Sequence, residues 1–138
     1  MIKVHIKNIT AIHGIKITEK NLKSFKSFAL TILKKEKAPR NTETSITLVD
    51  NPYIRKLNAK YRRKNHPTDV IAFAFPVCEK DSFMGDIYIS VEQANQQIQK
   101  GETLQIELKR LLIHGILHIL SYDHSKKMKE REKYYLKL

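Results

Sequence analysis

Apolar and polar positions change period several times along the chain, and each change marks an element. Ile2, Val4 and Ile6 alternate with Lys3, His5 and Lys7, the period of a half-buried strand over residues 2–7. Residues 19–35 then place Leu22, Phe25, Ala29, Ile32 and Leu33 on one helical face. Pro39 and Asn41 mark the following loop, and residues 44–50 read as a second strand. Pro52 suits the first turn of a helix whose buried stripe is Ile54, Leu57 and Tyr61. Asp69 to Phe75 is nearly continuous apolar sequence, as expected of a strand covered on both sides. From Gly85 to Val91 alternation returns, with Ile87, Ile89 and Val91 on one face and Asp86, Tyr88 and Ser90 on the other. Ser90 and Gln93 have capping-box spacing, so a short helix starts at Val91 and stops before Gly101. A longer helix covers about 103–120, apolar all round in its last three turns except at its histidines, and therefore central and buried. Residues 126–137 form a basic final helix. No repeat, low-complexity tract or linker interrupts the pattern. It predicts an α+β fold in a single domain over 1–138, a mixed four-stranded sheet packed with helices.

Composition changes the picture in one respect. The chain has 138 residues, 41% of them hydrophobic, ordinary for one domain with a real core. Its charge is not ordinary: 26 basic against 14 acidic residues give +12. Such a balance favours polyanionic partners, nucleic acid above all, although it also serves solubility. The single cysteine, Cys78, excludes an internal disulfide framework and fits a reducing compartment. The strand-like N-terminus lacks the apolar core of a signal peptide, and the apolar run Leu111 to Leu120 is too short to span a bilayer. Together these point to the cytoplasm and to no membrane partner.

The candidate chemistry lies in that central helix. His114 and His118 are one helical turn apart and leave it on one face. His124 follows six residues later, past Ser121, Tyr122 and Asp123, which can end the helix and turn the chain back. A lone histidine in an apolar run is ordinarily a hydrogen-bonded core residue; three at this spacing point to a metal. Three imidazoles suit one zinc ion with an open fourth position, where a water can react. A structural zinc site closes with four ligands, and Cys78 is distant in sequence. The spacing is that of a zinc protease, but Gly115 stands where such an enzyme carries its glutamate base. Peptide hydrolysis needs that base; phosphodiester cleavage depends more on charge stabilisation. The glycine also has a steric reading, as a small residue letting the helix approach the sheet.

Arg55 to Lys64 holds Arg55, Lys56, Lys60, Arg62, Arg63 and Lys64 with Tyr61 among them and no acid. A solvated helix face is the default for such a run, but its arginine density fits a phosphate-tracking surface. A guanidinium near the metal would grip a scissile phosphate with two prongs, and Arg62 or Arg63, at the end of the helix, supplies it.

Three segments resemble the YbeY family of bacterial endoribonucleases, the rRNA maturation factors. The run His114-Gly115-Ile116-Leu117-His118-Ile119-Leu120-Ser121-Tyr122-Asp123-His124 is similar to that family's histidine motif. Tyr61-Arg62-Arg63-Lys64-Asn65-His66-Pro67-Thr68-Asp69-Val70-Ile71-Ala72-Phe73 matches a second signature, and Gly85-Asp86-Ile87 a third. The resemblance implies a zinc-dependent, single-strand-specific endoribonuclease of rRNA maturation, including the 16S rRNA 3′ end, and of ribosome quality control. It carries zinc ligation onto His114, His118 and His124 and the functional arginine onto Arg62. Its implied partners are single-stranded RNA and the ribosome, with a ribosomal protein or GTPase as a protein partner. Three positions depart from the pattern: Ser121 for glycine, Asn65 for aspartate and Ala72 for serine. If position 121 needs a positive φ, serine there is strained by about 1 kcal/mol.

On this reading His114, His118 and His124 bind the metal and, with Arg62, form the catalytic set, Arg62 orienting the phosphate. Asp123 or Asp86 would fix a histidine tautomer from behind, although Asp123 serves equally as a turn cap. Arg55, Lys60, Arg63, Lys64 and His66 are the further candidates for RNA contact. Water and the 2′-hydroxyl both remain open as nucleophile. Two rival readings are a ribosome-associated RNA-binding factor whose metal is mainly structural, and a zinc hydrolase of peptides or small molecules.

Overall fold

The structure, a computed structural model, describes residues 1–75, 77–122 and 126–138. Its elements in chain order are β1 (Lys3–Asn8), α1 (Glu19–Lys35), β2 (Asn41–Val49), α2 (Asn51–Arg62), β3 (Val70–Phe75), β4 (Ser82–Ser90), α3 (Val91–Gln96), α4 (Leu104–Ile119) and α5 (Lys126–Leu136). The sheet is mixed, four-stranded and ordered β1-β2-β4-β3. β1 and β2 run parallel, as do β2 and β4, and β3 returns antiparallel along the outer side of β4. This is the α+β architecture that the pattern predicts.

The helices start where their caps say they should. Thr18 and Asn21 close a reciprocal capping box on α1. Asp50 caps α2 through the Tyr53 amide, with a proline in the first turn. Ser90 accepts from the Gln93 amide at 3.2 Å, but the Gln93 side chain does not reach back; it accepts from Asn51 Nδ2 at 3.4 Å. The expected box is therefore half closed, and its other half joins α3 to the start of α2.

Sheet alternation divides the interior. Val4, Ile46, Leu48, Ile87 and Ile89 turn to one face, where α1 and α4 cover them and α5 closes the end through Met128 and Tyr135. α2 covers part of the opposite face, over a small cluster of Val49, Ile54 and Ile71 with Leu57, Phe73 and Tyr88 against it. Beyond α2 that face meets solvent, and His5 and Glu43 pair there at 2.8 Å. β3 corrects its expectation: it is an edge strand, and its last residues, Ala74 and Phe75, are exposed. Its apolar run arises because one side packs under α4 while the other lines a cleft beside α2. No described helix is long and apolar enough to cross a membrane.

Two glycines set the depth of α4. A Cβ on Gly115 would stand 2.9 Å from Ile87 Cγ2, and one on Gly85 would stand 2.8 Å from Ile119 Cδ1. Helix and strand thus interlock, each glycine receiving the other element's isoleucine. The steric reading of Gly115 holds.

Candidate functional site

α4 is buried over Leu111, Leu112, Ile113, Gly115, Ile116, Leu117 and Ile119, while His114 and His118 remain half-buried on its outer side. Their rings meet edge to face with centroids 5.1 Å apart. Both are held where the helix ends. The Ser121 amide donates to the His118 carbonyl at 3.0 Å and the Tyr122 amide to the Leu117 carbonyl at 3.1 Å. These are the paired bonds of a Schellman ending, and Ser121 occupies its left-handed position at φ 73°. Position 121 does demand a positive φ, and serine bears the strain that glycine avoids. His124 and Asp123, the expected third ligand and one candidate tautomer-fixing carboxylate, lie outside the described residues.

A polar network brackets that helix end. The Glu36 carboxylate, at the C-terminus of α1, accepts from Tyr122 Oη at 2.5 Å, from Arg131 Nη2 at 2.5 Å and Nε at 3.0 Å, and from Tyr135 Oη. Burial raises its pKa, but the bonds from Tyr122, Tyr135 and Arg131 outweigh it and hold the carboxyl below the ordinary range. The same bond to Glu36, with burial second, pushes the Tyr122 phenol up. Tyr122 just before the 123–125 segment and Arg131 in α5 after it are thus tied to one carboxylate. Sequence reasoning did not find this network, whose members come from three parts of the chain.

It also missed Glu132. This carboxylate, from α5, approaches His114 Nδ1 at 3.4 Å. An acceptor on Nδ1 favours the tautomer that leaves Nε2 unprotonated and able to bind a metal. The signal was one of two acids, Glu130 and Glu132, in a helix read as basic. Asp86, the other candidate for this task, lies elsewhere. Its neighbours Gly85 and Ile87 both face α4, so strand alternation turns Asp86 to the α2 side of the sheet. There it lines a cleft with Leu57, Tyr61, Phe73, Phe75 and Tyr88, and burial raises its pKa.

Arg62 and Arg63 part company at the end of α2. Arg63 takes a left-handed conformation, φ 55°, and turns the chain. Arg62 reaches back to β3, its Nη2 donating to the Ala72 carbonyl at 3.5 Å. Ala72 pairs in register with Ile87, the residue that seats Gly115. Arg62 therefore sits at the sheet edge on the strand that underlies the histidine helix. Arg55 is engaged locally, its Nε donating to Asn65 Oδ1 at 3.0 Å, while buried Asn58 donates to the His66 carbonyl at 2.8 Å. Lys60 stands over the Tyr61 ring at 5.1 Å. Lys64 and His66 are exposed, and the His66 ring lies against the Pro67 carbonyl.

The donor set fits zinc as far as it is described: two imidazoles on one helix face and a carboxylate behind the first of them. Among the described residues no group of three or more histidines, cysteines and acids gathers.

Comparison with known proteins shows the family and the fold. The family model described as Endoribonuclease YbeY matches residues 6–137. The Endoribonuclease YbeY of Aquifex aeolicus is 42% identical over 98 residues, 68% of this chain and 64% of its own length. That of Sulfurihydrogenibium sp. is 41% identical over 116 residues, 82% of this chain and 74% of its own. A solution structure of a Thermotoga maritima protein superposes with a TM-score of 0.62 at 31% identity, covering 97% of this chain and 87% of that one.

Proposed function

The chain belongs to the Endoribonuclease YbeY family, and from that premise we propose that it is a zinc-dependent endoribonuclease acting on single-stranded RNA. The observation that carries the reading is the pair of half-buried imidazoles, with ring centroids 5.1 Å apart, in the otherwise apolar C-terminal half of α4. Two imidazoles one helical turn apart on one face have the spacing of a paired metal-ligand set. His114, His118 and His124 would hold the ion. When bound, zinc would supply Lewis acidity toward a phosphate oxygen or toward the nucleophile.

The protein's own groups do the rest. Glu132 holds His114 in one tautomer. Arg62, exposed at the β3 edge, grips the scissile phosphate and stabilises the charge that grows on it. Gly115 leaves no carboxylate after the first histidine, which suits phosphodiester rather than peptide chemistry. The +12 charge of the chain favours association with a polyanion. The substrate we infer is ribosomal RNA, including the 3′ end of 16S rRNA, with a role in ribosome quality control in the cytoplasm.

The test compares wild type, His114→Ala and Arg62→Ala on a labelled single-stranded RNA, with elemental analysis of each preparation. Wild type should hold about one zinc per chain and cut. His114→Ala should lose both metal and cleavage; Arg62→Ala should lose cleavage alone. Equal cutting by all three refutes the reading. A 2′,3′-cyclic phosphate on the product assigns the attack to the 2′-hydroxyl; a 5′-phosphate with a 3′-hydroxyl assigns it to water.

A further inference from the structure

The α2 side of the sheet carries a second feature. Leu57 and Tyr61 from α2, Phe73 and Phe75 from β3, and Asp86 and Tyr88 from β4 enclose a cleft of about 170 Å³. Its walls are aromatic: Tyr61 and Phe73 meet edge to face at 5.2 Å, as do Phe73 and Tyr88 at 6.2 Å. Two rings stand open at its mouth, Tyr61 55% and Phe75 42% exposed. The cleft is smaller than a cavity for a drug-sized ligand, which holds about 300–1,000 Å³, and suits a single flat ring system.

Asp86 lies in this cleft without an evident structural task. None of the hydrogen bonds or ion pairs among the described residues ends on its carboxylate. It caps no helix and faces away from the histidines. A carboxylate is held partly desolvated against aromatic rings, at a cost, in a protein of charge +12. That cost is recovered when a ligand brings N–H donors, because an ionised carboxylate only accepts.

The surroundings choose between donors. Lys60 leans over Tyr61, and Arg62 follows directly in sequence. These cations repel a lysine or arginine from a protein partner but attract a polyanion whose inserted group is itself neutral. An unstacked nucleobase is such a group, and single-stranded RNA is commonly read by stacking splayed bases on aromatic side chains. Among the four bases, guanine alone presents two adjacent donors, N1–H and the N2 amino group, to the two oxygens of one carboxylate. We propose that this cleft is a base subsite that holds an unstacked guanine of the RNA, Asp86 accepting from N1 and N2 while Tyr61 and Phe75 stack on the ring. The proposal rests on RNA being the substrate. It adds a specificity-determining contact on the far side of the β3 edge from the histidines, with Arg62 at the crossing.

The test measures binding by fluorescence anisotropy with two short labelled single-stranded RNAs of adenosine and uridine. One carries a single guanosine; the other carries inosine, which lacks the N2 amino group, in its place. Wild type should bind the guanosine RNA about tenfold tighter, the worth of one charge-assisted hydrogen bond. Asp86→Ala should abolish that preference and weaken the guanosine RNA more than the inosine RNA, because inosine keeps N1–H and loses one bond where guanosine loses two. Asp86→Asn, which keeps the side-chain shape but only one acceptor oxygen and no charge, should reduce the preference and serves if the alanine variant does not fold. Tyr61→Ala should weaken both RNAs about tenfold. Equal binding of the two RNAs by wild type overturns the subsite and leaves the cleft to a protein side chain. A guanosine preference that survives both Asp86 variants overturns it as well, because another site then reads the base. If wild type binds neither RNA, the substrate reading falls together with the subsite; in the first two outcomes it stands.

Discussion

Gly115 offers a sharp check on how the histidine helix is seated. Changing it to alanine places two physical terms in opposition. Alanine is the better helix former by about 1 kcal/mol in a helix interior, so an unconstrained site would be stabilised. The new Cβ, however, would stand 2.9 Å from Ile87 Cγ2 and 3.4 Å from Cδ1. That Cγ2 is attached directly to the Ile87 Cβ, and the residue is 0% exposed, so it cannot swing aside. Overpacking a core of this kind costs about 1–3 kcal/mol. The clash should win, leaving Gly115→Ala less stable by about 1 kcal/mol, a fall in Tm of about 2–5 °C for a chain of this length. Urea unfolding and thermal melts read this directly. The cycle with Ile87→Ala isolates its cause. That change removes Cγ2, costs about 2–5 kcal/mol alone, and opens the space the new methyl needs. In its background Gly115→Ala should stabilise by about the propensity difference. If Gly115→Ala stabilises the otherwise unaltered protein, helix and strand are not interlocked and the argument fails. The affected turn also carries His114, so zinc affinity should fall with stability and recover in the double variant.

Glu36→Gln should destabilise the fold by about 2–3 kcal/mol, the cost of removing a charged acceptor from a buried set of bonds. Because its folded pKa lies below the ordinary value, the carboxylate contributes stability above that value and loses it as pH falls through the lowered one. The wild-type advantage over Glu36→Gln should therefore be full at neutral pH and vanish at acid pH; a difference independent of pH would refute the ionised network. Glu132→Gln keeps the shape but weakens the acceptor behind His114, and should lower zinc affinity about tenfold at unchanged Tm of the metal-free protein. Zinc competition with a chromophoric chelator measures the first and calorimetry the second; unchanged affinity would remove Glu132 from the site.

Much of this was legible because each element advertises one period. The stripe of Leu22, Phe25, Ala29, Ile32 and Leu33 defined α1, and the alternation from Gly85 defined β4. β3 was misjudged because an apolar run looks the same whether two layers of helix cover it or an edge cleft borrows its rings. The misplacement of Asp86 was avoidable. If Ile87 packs under the histidine helix, parity alone sends Asp86 to the other face. Glu36 and Glu132 were not readable at all. Each acts on a group 18 or more positions away, Glu132 on His114 and Glu36 on Tyr122, Arg131 and Tyr135. Nothing local distinguishes them from acids that merely face water. Asn65, which stands for aspartate in the family pattern, holds Arg55 through its amide oxygen, a partner ten positions away that the pattern does not show.

The order of the sheet has a consequence for synthesis. All four strands precede residue 91, while the helix that covers the Ile46, Leu48, Ile87 and Ile89 face is complete only at Ile119. A ribosome adding about 5–20 residues each second takes roughly 1.5–6 s to make those thirty or so residues. For that interval the nascent protein owns a complete set of strands and only α1 to shelter their apolar side. The histidines arrive on the segment that ends the exposure, so the candidate site assembles only once the most aggregation-prone stage of manufacture is over.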